Sequence, residues 1–367
     1  MSSRESTPGP SGRQPLAPEL DGLLRRTSRS FYLSLRWLPQ RSRGPIGLAY
    51  LLARLADSVV DCPELPAAQR RVWLERFAAA IAHSAKVNAA APELAPPAGW
   101  PAAGVPAGEG ELVAAAPQVL AALGRLGAAE RRLTAQVLER IGAGMRLDLE
   151  RFGDPSGLGA LADAAELERY CQLVAGCVGR YWTEVHALAQ PRLQPLDAGL
   201  LAAAERYGRG LQLVNVLRDL PADLRRGRCY LPRDELARLG LAPADLLQPA
   251  AGPRLRPLID RLLGRTAGLL ACGWDYLERL PLREPRLRLA SAWPLLLAGR
   301  TLDRLGHRSN LLDPARRCKV PRRQVYLLLA RSLPGALWPA GLTGWGRREL
   351  RAVAARYPEA PRELLTH

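Results

Sequence analysis

The stretch PIGLAYLLARLADSVVD, residues 45–61, is apolar on nearly every side when it is read as an α-helix. A helix that is apolar nearly all round is buried, so this segment predicts a helix in the protein core. Its few polar residues are spaced 4, 3 and 4 positions apart, which places them on one helical face: Tyr50, Arg54, Asp57 and Asp61. Because unpaired buried charges are costly, this stripe must line an internal cavity or pair with another group.

The two aspartates of this stripe lie one helical turn apart and repel each other. Buried together, they would take up a proton unless a cation lay between them. Mg²⁺ characteristically bridges one or two carboxylates to substrate phosphates, so one reading is a magnesium–diphosphate site. The alternative is a surface helix on which Arg54 neutralises Asp57.

A second polar stripe occurs far along the chain, in YGRGLQLVNVLRDLPADLRRGRCYLP, residues 207–232. Gln212, Asn215 and Asp219 share one face of an otherwise apolar predicted helix, and Asp223 follows one turn later. Two buried helices that each present a carboxylate pair suggest a shared cavity holding several metal ions. Four facing carboxylates without metal would be strongly destabilising.

Basic residues follow this second pair at once, at Arg225, Arg226 and Arg228. A guanidinium group matches phosphate oxygens with two parallel hydrogen bonds. Carboxylates for metal and arginines for phosphate together predict a diphosphate site. The alternative is a solvated helix end of mixed charge.

A third segment, ERYCQLVAGCVGRYWTE, residues 168–184, carries two glycines inside a helical pattern. Gly176 and Gly179 cost helix stability, so they indicate close approach of another backbone or of a ligand. Tyr170 lies about two turns earlier, where it could move a proton or stabilise a cation. From spacing alone, a core aromatic residue is the simpler interpretation.

The amino-acid composition limits the possible fold class and the possible ligands of the protein. The 367 residues are dominated by the helix formers Ala, Leu and Arg, which predicts an all-α fold. The net charge of +17 is attributed mainly to a compositional preference for Arg, because Arg is spread along the whole chain and Lys occurs only twice. Six cysteines without CxxC pairs and only four histidines disfavour a zinc site. We expect no nucleic-acid partner, since the notable arginines lie among acidic pairs on buried helices.

The predicted organisation is a single catalytic domain over residues 19–345. Residues 1–18 are predicted to be a disordered tail, 89–110 a flexible loop rich in Pro, Ala and Gly, and 346–367 a C-terminal tail. Helices are predicted at 112–152, 161–190, 196–220, 255–280, 286–305 and 321–334. No stretch of 18 uninterrupted apolar residues occurs, so no spanning helix is expected.

Taken together, these segments resemble the squalene/phytoene synthase family. The resemblance rests on four runs in the family's order and spacing: SRSF from Ser28, YLLARLADSVVD from Tyr50, YCQLVAGCVG from Tyr170, and LQLVNVLRDLPAD followed by RRGRCYLPRDEL. It implies an all-α bundle around a deep central cavity.

The resemblance also implies roles for individual residues. Magnesium on the diphosphates is expected at Asp57, Asp61, Asp219 and Asp223. Phosphate binding is expected at Arg29, Arg54, Arg218 and Arg228, and further substrate contacts at Ser28, Ser30, Gln212 and Asn215. Tyr50 and Tyr170 are expected to act near the carbocation and its proton loss.

The reaction implied is head-to-head condensation of two farnesyl diphosphates through presqualene diphosphate, with NADPH reduction to squalene. GMRLDLERF from Gly144 resembles bacterial squalene synthases, and Lys319 and Arg322 resemble the segment that helps hold the NADPH phosphates. The alternative is non-reductive formation of phytoene, dehydrosqualene or presqualene diphosphate. Residues 289–291, where squalene synthases often have an aromatic residue, favour that alternative.

Two further expectations follow. Pro221, between Asp219 and Asp223, is expected to kink or end its helix and so to place Asp223 less securely. The protein is expected in the cytoplasm, either soluble or touching the inner membrane surface. Neither substrate chain length nor oligomeric state follows from the sequence.

Overall fold

The computed structural model describes residues 16–28, 31–86, 93–101, 105–153, 157–313, 318–336 and 338–357. These residues form an all-α bundle, which confirms the predicted fold class. The helices are α1 Pro18–Ser28, α2 Phe31–Trp37, α3 Gln40–Val60, α4 Ala67–Lys86, α5 Ala107–Ala114, α6 Ala116–Gly124, α7 Ala128–Phe152, α8 Ala164–Cys171, α9 Cys177–Ala189, α10 Ala198–Arg225, α11 Arg233–Arg238, α12 Gly252–Arg279, α13 Pro285–Gly306, α14 Arg322–Ser332 and α15 Pro339–Ala354.

Short irregular helical turns join several of these elements. A π-helical turn, Gln172–Gly176, connects α8 directly to α9, and 3₁₀ turns occupy Pro191–Leu193, Pro243–Leu247, Pro249–Ala251 and Leu333–Ala336. Two parallel strands of two residues each, β1 Gly159–Ala160 and β2 Arg228–Cys229, pair Gly159 with Arg228 and Ala160 with Cys229. None of the described helices has the length and apolar content needed to cross a bilayer.

The hydrophobic core has two parts that meet at the middle of the bundle. One surrounds α10, α12 and α13, and the other surrounds α3, α4 and α7. Leu255, Leu258, Ile259 and Leu262 show how α12 contributes, since their spacing places them on one buried stripe. Trp182 on α9 packs against both parts, which joins them into one body.

Glycines allow α9 and α10 to approach closely. A Cβ atom on Gly179 would lie 2.1 Å from the carbonyl oxygen of Ala204, and one on Gly208 would lie 2.3 Å from that of Ala175. The sequence predicted close approach at Gly176 and Gly179. At Gly179 the approaching group is a backbone, whereas a Cβ atom on Gly176 would lie 2.3 Å from the Gln172 side chain.

Several predicted boundaries differ from the structure at the ends of the chain. Helix α1 begins at Pro18, inside the predicted tail, and residues 1–15 lie outside the described part of the chain. Helix α15 runs across the predicted boundary at residue 345, because Leu342, Leu350 and Val353 form a buried helical stripe. Gly346 brings this helix against Trp274, where a Cβ atom would lie 2.0 Å from the ring.

Internal boundaries also differ. Residues 107–110 of the predicted 89–110 loop belong to α5, whereas 89–92 and 102–104 lie outside the described residues. The helix predicted over 112–152 is divided into parts of α5, α6 and α7. Helix α10 continues to Arg225, so Pro221 does not end it.

Candidate active site

Helix α3 presents the first predicted polar stripe beside a buried apolar body. Leu51, Leu52 and Leu55 are fully buried, whereas the side chains of Asp57 and Asp61 keep 41% and 39% of their surface accessible. Asp61 caps the helix, with its backbone N–H donating to the carbonyl of Asp57 at 2.9 Å. Both carboxylates therefore remain partly accessible to water although most of their helix is buried.

Arg54 links this stripe to a residue that sequence reasoning missed. Its guanidinium donates to the Asp57 carboxylate at 2.6 Å and also pairs with Glu109 on α5. Ser58 donates to the Arg54 carbonyl at 2.9 Å and to Glu109 at 3.3 Å. Glu109 lies within the segment predicted to be a flexible loop, so no sequence pattern indicated that it would reach Arg54.

Helix α10 presents the second stripe. Arg218 donates to Asp219 from Nε at 2.9 Å, and Asn215 donates to Gln212 at 3.4 Å. Because the helix runs through to Arg225, Asp223 lies one turn after Asp219 on the same helix. The expected loss of helical support for Asp223 does not occur.

Arg228 on β2 brings the two stripes together. It donates to Asp61 at 2.7 Å, across 167 positions of sequence, and its side chain is only 14% accessible. Burial raises the pKa values of Asp57, Asp148 and Asp223, and the positive charge of Arg228 opposes each rise. Carboxylates from α3, α7 and α10 therefore lie within electrostatic range of one guanidinium.

The negative charges of these carboxylates are only partly compensated by the neighbouring arginines. Burial raises the pKa of Asp57 to about 7, with Asp61 and Glu109 adding to the rise and Arg54 opposing it. Burial and the neighbouring Asp219 raise the pKa of Asp223 to about 7. Repulsion of this kind is relieved when a cation binds among the carboxylates.

The donor set fits magnesium bound together with a diphosphate. Every carboxyl group in the cluster offers oxygen, the ligand atom that Mg²⁺ prefers. In the described part of the chain, no three His, Cys, Asp or Glu side chains approach closely enough to form a metal site by themselves. Magnesium would therefore take its remaining ligands from phosphate and water, as it does in other phosphate-bound sites.

Asp148 and Tyr230 complete the site and were not predicted. Burial raises the pKa of Asp148 to about 7, its Oδ1 atom has no hydrogen-bond partner, and its Oδ2 accepts from the Tyr230 hydroxyl at 3.1 Å. The Tyr170 ring stacks on Tyr230 with centroids 4.8 Å apart. Tyr230 lies within the run RRGRCYLPRDEL and Asp148 within GMRLDLERF, two stretches that resemble the family. Their position in these stretches was the sequence signal that could have indicated a role in the site.

Tyr170 is buried, as expected for an aromatic residue of the core, and it also lies near the carboxylate cluster. Burial and the nearby Asp148 raise the pKa of Tyr170 well above its ordinary value, so the phenol stays protonated. The π-helical turn Gln172–Gly176 begins two residues later. Such turns are frequent at functional sites.

Other predicted residues lie further from this cluster or cannot be placed. The Tyr50 hydroxyl donates to the Thr27 carbonyl at 3.2 Å, and its ring lies 5.6 Å from that of Phe31. Ser28 is buried and donates to the Leu24 carbonyl at 2.5 Å. Arg29 and Ser30 lie outside the described residues.

The segment that carries Lys319 and Arg322 lies against α13. Both side chains are exposed, and the preceding Cys318 is buried, with its thiol 3.9 Å from the Thr301 carbonyl. Burial raises the pKa of the Cys318 thiol, the nearby Arg308, Arg304 and Arg218 lower it, and Asp219 raises it further. Cys318 is therefore within electrostatic range of Arg218 and Asp219.

The bundle thus brings acidic pairs and arginines of α3, α10 and β2 close to one another. The chain belongs to the squalene/phytoene synthase family, whose family model matches residues 24–324. Members of this family are prenyltransferases that condense two isoprenyl diphosphates head to head.

Individual relatives support this placement. The chain is 30% identical over 273 residues to presqualene diphosphate synthase from Zymomonas mobilis, covering 74% of this chain and 79% of that protein. It is 33% identical over 166 residues to a chloroplastic phytoene synthase from Narcissus pseudonarcissus, covering 44% of this chain and 36% of that protein. The structure of TcSQS with a bound ligand matches with a TM-score of 0.73 at 20% identity, covering 94% of this chain and 92% of that one.

Proposed function

We propose that this protein is a squalene synthase, condensing two farnesyl diphosphates to presqualene diphosphate and reducing that product to squalene. The observation that supports this most strongly is the convergence of the carboxylates of α3, α7 and α10 on Arg228. A cluster of this kind can hold the diphosphates and their counter-ions.

The arginines of the site would bind the diphosphate oxygens. Arg54, Arg218 and Arg228 each form an ion pair with a site carboxylate. With a diphosphate and its cations bound, the carboxylates would hold the cations and the guanidinium groups would be free to donate to phosphate oxygens. In the free protein, the same ion pairs would keep the three arginine side chains near the positions from which they bind phosphate.

Magnesium dependence is a property of the family. In this chain Asp57, Asp61, Asp219 and Asp223 would hold the ions, which neutralise diphosphate charge and so favour its departure. The raised pKa values of Asp57 and Asp223 support this assignment, because burial and then a neighbouring aspartate make each negative charge unfavourable, and a bound cation would offset both effects.

The tyrosine pair would act at the edge of the carboxylate cluster. Tyr170 stacks on Tyr230, and Tyr230 donates to Asp148. Stacked neutral phenol rings present π faces that stabilise a nearby carbocation. The hydrogen-bonded pair also keeps the phenol of Tyr230 in a fixed orientation.

The reductive step is supported by the position of the Lys319 segment. Lys319 and Arg322 are exposed, and Arg304 donates to Gln324 on the same segment at 3.1 Å. This concentration of positive charge suits the phosphates of NADPH, which would supply the hydride.

One incubation tests the proposal. Purified protein with farnesyl diphosphate and Mg²⁺, with and without NADPH, followed by mass analysis of the lipids, should give squalene only when NADPH is present. Changing Lys319 and Arg322 together to Ala should lower squalene yield while presqualene diphosphate still forms. Arg323→Ala, on the neighbouring exposed position, is the matched control and should change neither product.

A non-reductive product is the second candidate. It is favoured by the similarity to presqualene diphosphate synthase and by residues 289–291, where squalene synthases often have an aromatic residue. Within this stretch Ser291 accepts a hydrogen bond from Trp182 Nε1 at 3.1 Å. Presqualene diphosphate or dehydrosqualene formed regardless of NADPH would establish that candidate. Turnover only with geranylgeranyl diphosphate would establish phytoene synthesis.

A further inference from the structure

Glu109 contacts Arg54 from a helix that contains no predicted site residue. It lies in the first turn of α5, and its carboxylate pairs with Nη2 of the Arg54 guanidinium. The other terminal nitrogen, Nη1, donates to Asp57 at 2.6 Å. The Nε atom of Arg54 is buried and has no hydrogen-bond partner among the described residues. The guanidinium is therefore oriented by two carboxylates, one from each of two helices.

The pair with Glu109 is better shielded from water than the pair with Asp57. The Glu109 side chain is 17% accessible, whereas that of Asp57 is 41% accessible. The buried hydroxyl of Ser58 lies 2.9 Å from the Arg54 carbonyl and 3.3 Å from the Glu109 carboxylate, so it supports both partners. Hydrogen bonds are stronger where water is excluded, and exposed ion pairs contribute little. Glu109 is therefore the firmer of the two partners of the guanidinium.

Packing keeps the Glu109 carboxylate in place. Leu112 and Val113 of α5 are fully buried in the part of the core that surrounds α3. Gly108 lies so close to α1 that a Cβ atom on it would be 3.2 Å from the Cβ of Arg26. Helix α5 is thus fixed against α1 and α3 by contacts other than its ion pair.

The two partners of Arg54 differ in what they do when a diphosphate binds with its cations. In the proposed site, Asp57 holds a cation, and Nη1 of Arg54 is free to donate to a phosphate oxygen. A guanidinium that had no second partner would gain rotational freedom and would have to lose it again on binding phosphate. The bond from Nη2 to Glu109 avoids this loss, because the group is already held in its binding orientation.

We propose that Glu109 is a positioning residue of the diphosphate site. It keeps the Arg54 guanidinium directed at the phosphate oxygens while Asp57 binds a cation. In this arrangement Glu109 itself contacts neither phosphate nor metal. The inference rests on the proposed diphosphate site and adds to it a residue from outside both polar stripes.

Titration calorimetry with inorganic pyrophosphate and excess Mg²⁺ tests the proposal without turnover. Glu109→Ala should weaken pyrophosphate binding about three- to tenfold, because the guanidinium loses its fixed partner. Glu109→Gln should stay within about twofold of wild type, because its amide oxygen still accepts a hydrogen bond from Arg54. The matched control is Glu111→Ala, which removes an ion pair of 2.7 Å with Arg26 from the same helix; it should bind pyrophosphate as wild type does.

A double-mutant cycle distinguishes positioning from a structural role. In an Arg54→Ala background, Glu109→Ala should have no further effect on pyrophosphate affinity, because the residue through which it acts is absent. Damage to the packing of α5 would instead weaken binding equally in both backgrounds. Thermal unfolding of each variant measures any such loss of stability separately.

Several results would overturn the proposal. Equal affinity of wild type and Glu109→Ala would do so, as would tighter binding by both Glu109 variants, which is expected if Glu109 acts only through its negative charge. A loss in Glu109→Gln as large as that in Glu109→Ala, with a raised Mg²⁺ requirement, would make Glu109 a metal ligand instead. A wild-type protein that binds no pyrophosphate in the presence of Mg²⁺ would refute the diphosphate site of the proposed function, and the role of Glu109 with it.

Discussion

Replacing Asp57 with asparagine should stop turnover and at the same time stabilise the metal-free protein at alkaline pH. The turnover loss follows from removing a carboxylate proposed to hold magnesium. The stabilisation follows from the poor charge balance of the site, in which Asp57 lies near Asp61 and Glu109 and is only partly compensated by Arg54. An uncharged amide of the same shape removes that repulsion.

The magnitude follows from the pKa of Asp57, which rises in the folded protein from its ordinary value of 3.8 to about 7. The folded state then binds more protons than the unfolded state between these values, so stability falls as pH rises from about 4 to about 7 and stays low above it. Without solvent screening, this rise in pKa would lower the free energy of unfolding by about 4 kcal/mol at alkaline pH. Because 41% of the Asp57 side chain remains accessible to water, screening reduces the loss of stability, and we expect about 1–2 kcal/mol.

The assay is thermal unfolding of the protein in a chelator, at about pH 5 and about pH 8. The variant should melt about 1–3 °C above wild type at the higher pH, with a smaller difference at the lower pH. Asp260→Asn is the matched control, since Asp260 pairs at 2.8 Å with Arg256 one turn earlier on a helix surface; it should not gain stability at either pH. An Asp57→Asn protein that melts below wild type at pH 8 would refute the repulsion argument, and one with normal turnover would refute the metal assignment.

Three further predictions concern other parts of the molecule. Asp219→Asn should abolish product formation while the melting temperature stays within a few degrees of wild type; undiminished turnover would remove it from the metal site. Tyr170→Phe should slow formation of presqualene diphosphate, measured by mass analysis of early time points, and an unchanged rate would make this residue purely structural. Gly179→Ala should destabilise the fold by about 2–4 kcal/mol, because its Cβ would lie 2.1 Å from the Ala204 carbonyl, whereas Gly268→Ala, with no atom within 4 Å, should be neutral or stabilising in a melting experiment.

The buried polar stripes were predicted from local pattern because helical spacing is a property of neighbouring residues. Asp57 and Asp219 each follow an apolar run at fixed offsets, and the resulting all-α fold is confirmed. Helix α15 was not predicted from the sequence. Its stripe of Leu342, Leu350 and Val353 is buried because the helix packs against α12, and this long-range contact is not visible in the local pattern. The break expected at Pro221 did not occur, because proline removes one backbone donor without preventing the surrounding packing from continuing the helix.

The sequence by itself determined which residues lie on one helical face, and therefore which carboxylates and arginines could act together within each segment. Only the tertiary structure decided which segments meet. Arg228 contacts Asp61 across 167 positions, Glu109 reaches Arg54 from α5, and Tyr230 links Tyr170 to Asp148 from α7. The spacing of residues along one helix follows from the regular geometry of its backbone, whereas these long-range pairings depend on how whole helices pack, which no short stretch of sequence specifies.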